Sequence, residues 1–315
     1  MITECALVPD IFDGASYGSQ ELCDVYLSNL KEYLLQEALV RDLREGEWSA
    51  YIGRNVGWHL RAQELMKKLV SQRRLHPSAP ATKTVPTSCI EWCQEALASH
   101  ATDPLVGIIA SSAVAHEFRH ETVVSPIEKL PSASWWQARS PSLRLYRATS
   151  HYLQHLRLVL RHANSLMFID PHLDPVQPRY GEFVQLLQEI QRADIAPLIE
   201  LHRVCYTGSG PQRKIVSPEE WEKQFREKLD VSLKSVGLTV EIFIWDDFHD
   251  RYLITDLVGI SVPNGFDVER NSRRKMTTWT RLGRRDRDDV QREFDPAAKR
   301  HDLKGRFSVG LEKKM

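Results

Sequence analysis

Two periodicities alternate along the chain. From Gln20, apolar side chains recur at Leu22, Val25, Tyr26, Leu30, Tyr33 and Leu34, the spacing of one helical face. Ser19 is placed to cap this helix, with Glu21 in its first turn. Leu39 to Leu43 reads as a strand, and Arg44 to Trp48 as a turn or a second strand. A further helix is predicted over 58–73, with Leu60, Leu65, Leu69 and Val70 inward, and another over 89–99. Between them, 76–87 is rich in Pro, Ser and Thr and reads as a loop. Leu105 to Ala110 is a branched apolar run, as expected of a buried strand. Helices alternating with such strands predict an α/β region over 1–142. It ends in a Pro/Ser-rich linker or covering loop, 125–142, whose Trp135 and Trp136 are expected to dock on a core.

Residues 143–315 read as a second domain with the same alternation. A helix is expected over 143–163 on Leu145, Leu153, Leu156, Val159 and Leu160. The strand 165–169 ends in Asp170-Pro171-His172, and an amphipathic helix follows over 182–193. A strand over 196–206 leads into a glycine-rich loop, 207–217. Ser217-Pro218-Glu219-Glu220 carries helix-start signals, and Gly237 stops that helix. Strands are expected at 238–244, 251–254 and 258–262, and again around Thr277-Thr278-Trp279. The expected fold is α/β: a mixed sheet with helices on both faces, preceded by the α/β N-terminal region.

Composition narrows the classes. The chain has 315 residues, 42% hydrophobic and 27% charged, enough to bury a full core. Lys and Arg total 42 and so do Asp and Glu, so no global field points to a polyanion. The five cysteines are scattered and odd in number, with Cys89 and Cys93 at helical spacing. They predict structural thiols in a reducing cytoplasm, not a disulfide frame or a metal site. No signal-like N-terminus or membrane-length apolar run is visible. His116 and His120 enclose His-Glu-x-x-x-His, one residue longer than the zinc-protease spacing. The loop 207–217 lacks a P-loop's terminal Gly-Lys-Ser/Thr. No metal or cofactor is therefore expected. Charge is uneven locally. From Arg270 to Arg306, Arg270, Arg273, Arg274, Lys275, Arg281, Arg284, Arg285, Arg287, Arg292, Lys299, Arg300, Lys304 and Arg306 outnumber the acids about two to one. Such a tail is either a polyanion-attracting surface or a solvated helix with internal ion pairs.

Candidate chemistry concentrates in Trp245-Asp246-Asp247-Phe248-His249-Asp250-Arg251-Tyr252-Leu253-Ile254-Thr255-Asp256. On a strand, His249 and Arg251 share one face. An imidazole beside a fixed guanidinium suits phosphoryl chemistry, since one attacks or protonates and the other grips a phosphate oxygen. The same residues also suit a solvated strand end with a salt-bridged Arg. Asp170 and His172 follow a strand, where α/β sheets gather ligands, and are read as facing the same cleft.

The spacing His249-x-Arg251-x-x-x-x-Asp256 resembles the His-x-Lys-x-x-x-x-Asp signature of the phospholipase D superfamily, with Arg in the Lys position. The continuation Gly259 to Asp267, with its Asn264-Gly265-Phe266-Asp267, is similar to the phospholipase-D-like C-terminal domain of eukaryotic MIT-domain proteins. The resemblance covers about 150–282. It implies a metal-independent phosphodiesterase with His249, Arg251 and Asp256 as catalytic residues. Asp170, His172, Asp247, Asn264, Thr277 and Arg281 would bind substrate. In that superfamily one His becomes a phosphohistidine and a second, from another motif copy, protonates the leaving group. One motif per chain thus implies a homodimer. The basic tail favours nucleic acid as partner over an anionic membrane surface, and a stand-alone chain of this kind suits a prokaryotic defence or mobile-element system. The MIT-associated branch implies the alternative, a non-catalytic phosphate-recognising module.

Overall fold

Burial follows the alternation of the sequence. A computed structural model describes residues 1–54, 58–190, 192, 195–208, 210–269 and 275–311. The chain forms two units, residues 2–139, and residues 140–315 with Met1. Among the described residues no helix is long and apolar enough to cross a membrane.

The first unit runs β1 (Thr3–Leu7), α1 (Gln20–Gln36), β2 (Ala38–Asp42), α2 (Glu47–Arg54), α3 (Leu60–Ser71), β3 (Leu75–Pro77), α4 (Cys89–Thr102), β4 (Gly107–Ala110), α5 (Ser112–Glu117), β5 (Val124–Pro126) and α6 (Ser134–Gln137). All pairings in its sheet are parallel, in the order β3-β2-β1-β4-β5. The order reverses between β1 and β4, as in doubly wound folds. Strands covered on both faces need no polar alternation, and β2 and β4 are buried throughout. Arg44 to Trp48 is a turn leading into α2, not a second strand. The stretch 125–142 is also ordered. Trp135 donates its indole N–H to Ser125 Oγ at 3.0 Å and packs so closely on Gly107 that a Cβ there would overlap the ring.

One polar cluster is sealed inside this sheet. The Arg41 side chain is 2% exposed; its Nε donates to Glu4 Oε1 at 2.6 Å and its Nη1 to the Asp103 carbonyl at 2.9 Å. His76 Nε2 lies 2.7 Å from the same Glu4 oxygen. Burial alone would raise the Glu4 pKa, but the bonds from His76 and Arg41 overcome it and hold the carboxyl at about 2.

The second unit runs β6 (Ser142–Tyr146), α7 (Thr149–His162), β7 (Ser165–Ile169), α8 (Phe183–Gln188), β8 (Leu198–Val204), β9 (Tyr206–Thr207), β10 (Lys214–Ile215), α9 (Pro218–Ser235), β11 (Thr239–Trp245), β12 (Tyr252–Thr255), β13 (Gly259–Ser261), β14 (Met276–Arg281), α10 (Arg284–Glu293) and β15 (Leu303–Gly310). Its eight-stranded sheet has the order β15-β11-β8-β7-β12-β13-β14-β6. Only β7, β8 and β11 are mutually parallel. Phe168, Leu201 and Ile242 share the face under α7, α8 and α9, where Phe168 meets Phe183 and Phe225 meets Phe307. His202, Phe243 and Trp245 lie on the other face, where Phe294, just after α10, packs against His202 and Trp245. The unit is thus a mixed sheet with helices on both faces.

Two expectations change here. Leu145 belongs to edge strand β6, so the helix expected from 143 starts only at Thr149. The basic tail contributes α10 and the edge strand β15, the latter paired along all of β11. Arg270, Arg273 and Arg274 of that tail, and Ala193, the expected end of the helix after Glu182, lie outside the described residues.

Removing one partner of the buried Arg41–Glu4 pair leaves an uncompensated charge. Arg41→Met is expected to destabilise the chain by about 3–5 kcal/mol in urea unfolding. Because the folded Glu4 pKa is depressed, its contribution is present above pH 4.5 and is lost as the pH falls toward 2. Glu4→Gln should remove that segment of the acid-unfolding curve.

Candidate functional site

Three parallel strands end together. β7, β8 and β11 finish at Ile169, Val204 and Trp245, and antiparallel β12 starts beside them, Tyr252 opposite Ile169. The segments leaving this edge carry Asp170, His172, Arg203, Asp247, His249 and Arg251. This is the carboxyl edge at which α/β sheets hold ligands.

Asp170 organises the edge. It is fully buried. Its Oδ1 accepts the backbone N–H of His172 at 3.0 Å, and its Oδ2 accepts the Tyr180 hydroxyl at 3.0 Å and the backbone N–H of Phe266 at 3.1 Å. Arg251 Nε lies 3.6 Å from Oδ1. Burial pushes the Asp170 pKa up, and these donors with the Arg251 charge pull against it. The carboxylate fits only because residue 265 is glycine. Gly265 has φ +65, and a Cβ there would fall inside the carboxylate.

His249 and Arg251 lie in the loop before β12, not on the expected strand. Their shared direction therefore comes from tertiary contacts. Arg251 Nη1 donates to the carbonyls of His249 and Pro263 at 3.2 and 3.3 Å, while Nε faces Asp170. The Arg251 side chain is 24% exposed, so one edge of the guanidinium is open to a ligand. His249 is exposed, and His172 is half-buried. The His172 pKa is lowered to about 4, first by burial and then by the charges of Arg251, Arg179, Arg203 and His249. These groups therefore lie within electrostatic reach of one imidazole, which is neutral at pH 7.

Arg203 forms the floor and is 1% exposed. It donates to the carbonyls of Leu173, Val204 and Tyr206 at 2.8, 2.8 and 2.9 Å, and its guanidinium stacks 3.2 Å over the Trp221 ring. Burial lowers its pKa to about 9, so it stays charged at neutral pH. It ties the loop after β7 to the loop after β8. Sequence reading missed Arg203, Arg179 and Tyr180; an Arg inside the apolar run Leu201 to Tyr206 was the available signal.

The other expected site residues divide. Asp247 is at the edge but engaged, accepting the Tyr206 hydroxyl and Arg213 Nη1, the latter at 3.1 Å. The Tyr206 bond is the main cause of its lowered pKa. Asn264 is exposed on the turn that carries Pro263 and Gly265. Asp256 is at the opposite end of β12, roughly 13 Å along the strand, where it accepts Asn164 N and Nδ2 at 2.9 and 3.1 Å. It clasps β12 to the start of β7 and does not reach the cleft. Thr277 is buried on β14 opposite Leu145, and Arg281 sits mid-sheet opposite Ile260. Neither joins Asp170, because two strands, β12 and β13, separate β14 from β7.

Much of the basic tail is internally paired: Arg287 with Asp288, Arg292 and Arg300 with Asp289, and Arg306 with Glu241. Its 299–304 segment nevertheless returns to the edge, where Asp302 and Asp246 exchange backbone and carboxylate bonds at 2.9 and 3.0 Å. Among the described residues no group of three His, Cys, Asp or Glu could hold a metal ion.

The chain matches no protein-family model and none of the curated proteins. Among solved structures it is similar to Nuc, a phospholipase D family member from Salmonella typhimurium, at 8% identity and a TM-score of 0.33, over 51% of this chain and 96% of that one. It is similar to TrmBL2, an archaeal chromatin protein with a novel mode of DNA binding, at 9% identity and 0.30, over 77% and 81%. It is also similar to polyphosphate kinase from Porphyromonas gingivalis at 9% and 0.30, over 78% and 34%. At these scores the likenesses carry no functional argument.

Gly265→Ala is expected to cost about 2–5 kcal/mol in urea unfolding, from left-handed strain and collision with Asp170. Gly237→Ala, at φ +74 with nothing within 4 Å, should cost only about 1–2 kcal/mol. By proton NMR, the His172 ring is expected to titrate near pH 4, with the midpoint rising in Arg251→Gln because a neighbouring cation is gone. The depressed value means that stability falls as the pH drops from 6.5 toward 4.

Proposed function

We propose that the cleft at the carboxyl edge of the mixed sheet is a phosphodiester site of the phospholipase D type, acting on a nucleic acid strand. The observation that carries this reading is the cradle around Asp170, which presents the open edge of Arg251 beside His172, with Arg179 and His249 in electrostatic reach. An anion is the ligand such a site favours, and a guanidinium fixed by two carbonyls and a carboxylate meets phosphate without reorganising. In this reading His249 attacks phosphorus while Arg251 holds a non-bridging oxygen. The reaction needs no metal. A polymeric substrate is favoured by the cations along the same edge, Arg213, Lys299, Arg300 and Lys304. By the two-copy route the second imidazole would come from another chain.

A second reading is recognition without cleavage, of nucleic acid or of an anionic membrane surface. It is favoured by Arg251 itself, which stands where the superfamily signature has Lys and already spends both Nε and Nη1 on protein partners.

The test uses the full chain with EDTA present, labelled single- and double-stranded DNA and RNA, and vesicles with and without anionic lipid. Expected are cleavage of a nucleic acid, its loss in His249→Ala with the fold retained, and binding at least 10-fold weaker in Arg251→Ala, with affinity falling as salt rises. Binding lost in Arg251→Ala without turnover would select the second reading. If no nucleic acid or vesicle is bound or cut, both readings fail.

A further inference from the structure

We propose that His172 is the second imidazole of the site, carrying the proton for the phosphorus that His249 attacks, so that one chain holds a complete acid–base and nucleophile pair. This rests on the phosphodiester reading above and replaces the need for a second copy.

The argument is one of attachment. The backbone N–H of His172 and Arg251 Nε both address Oδ1 of Asp170, at 3.0 and 3.6 Å, and Arg251 Nη1 holds the carbonyl of His249 at 3.2 Å. The main chain of both histidines is therefore referenced to one carboxylate through one guanidinium. Below His172, Arg203 pins the adjoining Leu173 carbonyl to the loop after β8 at 2.8 Å, so the segment cannot shift independently. His172 is neither sealed nor solvent-bound, being half-buried over this floor. It makes no contribution to the core that Leu173 does not already make. The charged groups around it are Arg251, Arg179, Arg203, His249 and buried Asp170, four of them cations when His249 is protonated. They hold the free imidazole neutral, and a bound phosphate anion offsets them and draws a proton onto it.

The step balances. His249 nitrogen forms a bond to phosphorus as the bond from phosphorus to the leaving oxygen breaks, and protonated His172 gives its proton to that oxygen. Water then attacks phosphorus and gives a proton to His172, and the phosphorus–nitrogen bond breaks. The sum is diester plus water to monoester plus alcohol, with both imidazoles restored.

A proton donor matters only when the leaving group is poor, and this separates proton transfer from a structural role. The full-length chain is assayed with EDTA on two substrates, bis(4-nitrophenyl) phosphate, whose leaving group needs no proton, and the labelled oligonucleotide, whose alkoxide does. His172→Gln is expected to lower kcat on the oligonucleotide about 10²–10⁴-fold, with KM changed less than about 3-fold. On the activated diester it should retain kcat within about 10-fold. Wild-type activity per chain should stay constant on dilution. Equal losses on both substrates, or no loss on either, would overturn the role of His172 while leaving the phosphodiester reading standing. So would activity per chain that falls on dilution, which assigns the second imidazole to another copy. Absence of wild-type turnover on both substrates defeats the hydrolytic reading itself, and this inference with it.

Discussion

A carboxylate without water must be surrounded by donors, and in the second unit that requirement shapes everything at the carboxyl edge. Asp170 sits at zero exposure. Leaving it unpaired would cost several kcal/mol, so three hydrogen bonds and a guanidinium converge on it. Each donor comes from a different place in the chain: the turn after β7, Tyr180 before α8, the Gly265-Phe266 turn after β13, and the loop before β12. One buried charge thereby joins four segments that share no local sequence. Phe266, whose N–H is one of those donors, also packs its ring on Phe168 and Phe183. The polar cradle and the apolar core under α7 and α8 therefore constrain each other.

A second constraint lies one layer below. Arg203 is buried with three carbonyl partners and a Trp221 face. Its charge persists because carbonyl dipoles and a π-face replace water. With Asp170 and Arg251 it alternates sign through the edge, and the outermost charges are cationic. Selectivity for an anion thus follows from the order of the layers. In the first unit, by contrast, the sealed Arg41–Glu4–His76 cluster is self-satisfied and turns no open edge outward. The first unit's parallel strands and the second unit's mixed ones are two solutions to covering a sheet, and only the second hangs cations on its carboxyl edge.

Residues close in sequence were readable, and those brought together by pairing were not. His249 and Arg251 stood out as an imidazole and a guanidinium two apart, and Asp170 with His172 as polar residues just past a strand. Thr277 and Arg281 carried the same kind of signal, yet β13 intervenes and Thr277 is buried. Asp256 belongs to the same motif as His249, but a strand of four residues puts it at the other end of the sheet. A motif written along a line says nothing of which end of a strand faces the ligand. Arg203 and Tyr180 matter only through carbonyls and a carboxylate supplied by other segments, so no local spacing marks them.

By itself the amino-acid order determined the α/β class, the helices with capped and amphipathic faces, and the run from Trp245 to Asp256 as the place where chemistry is concentrated. Those features depend on periodicities of two and 3.6 residues and on turn chemistry, all local. Only the tertiary structure decided the strand order in both sheets, the reversal between β1 and β4, and the burial of Asp170. It also decided that His249 and Arg251 are aimed from a loop by carbonyls rather than by a strand's pleat. Those outcomes depend on which segments exclude water from one another, a property of the assembled chain.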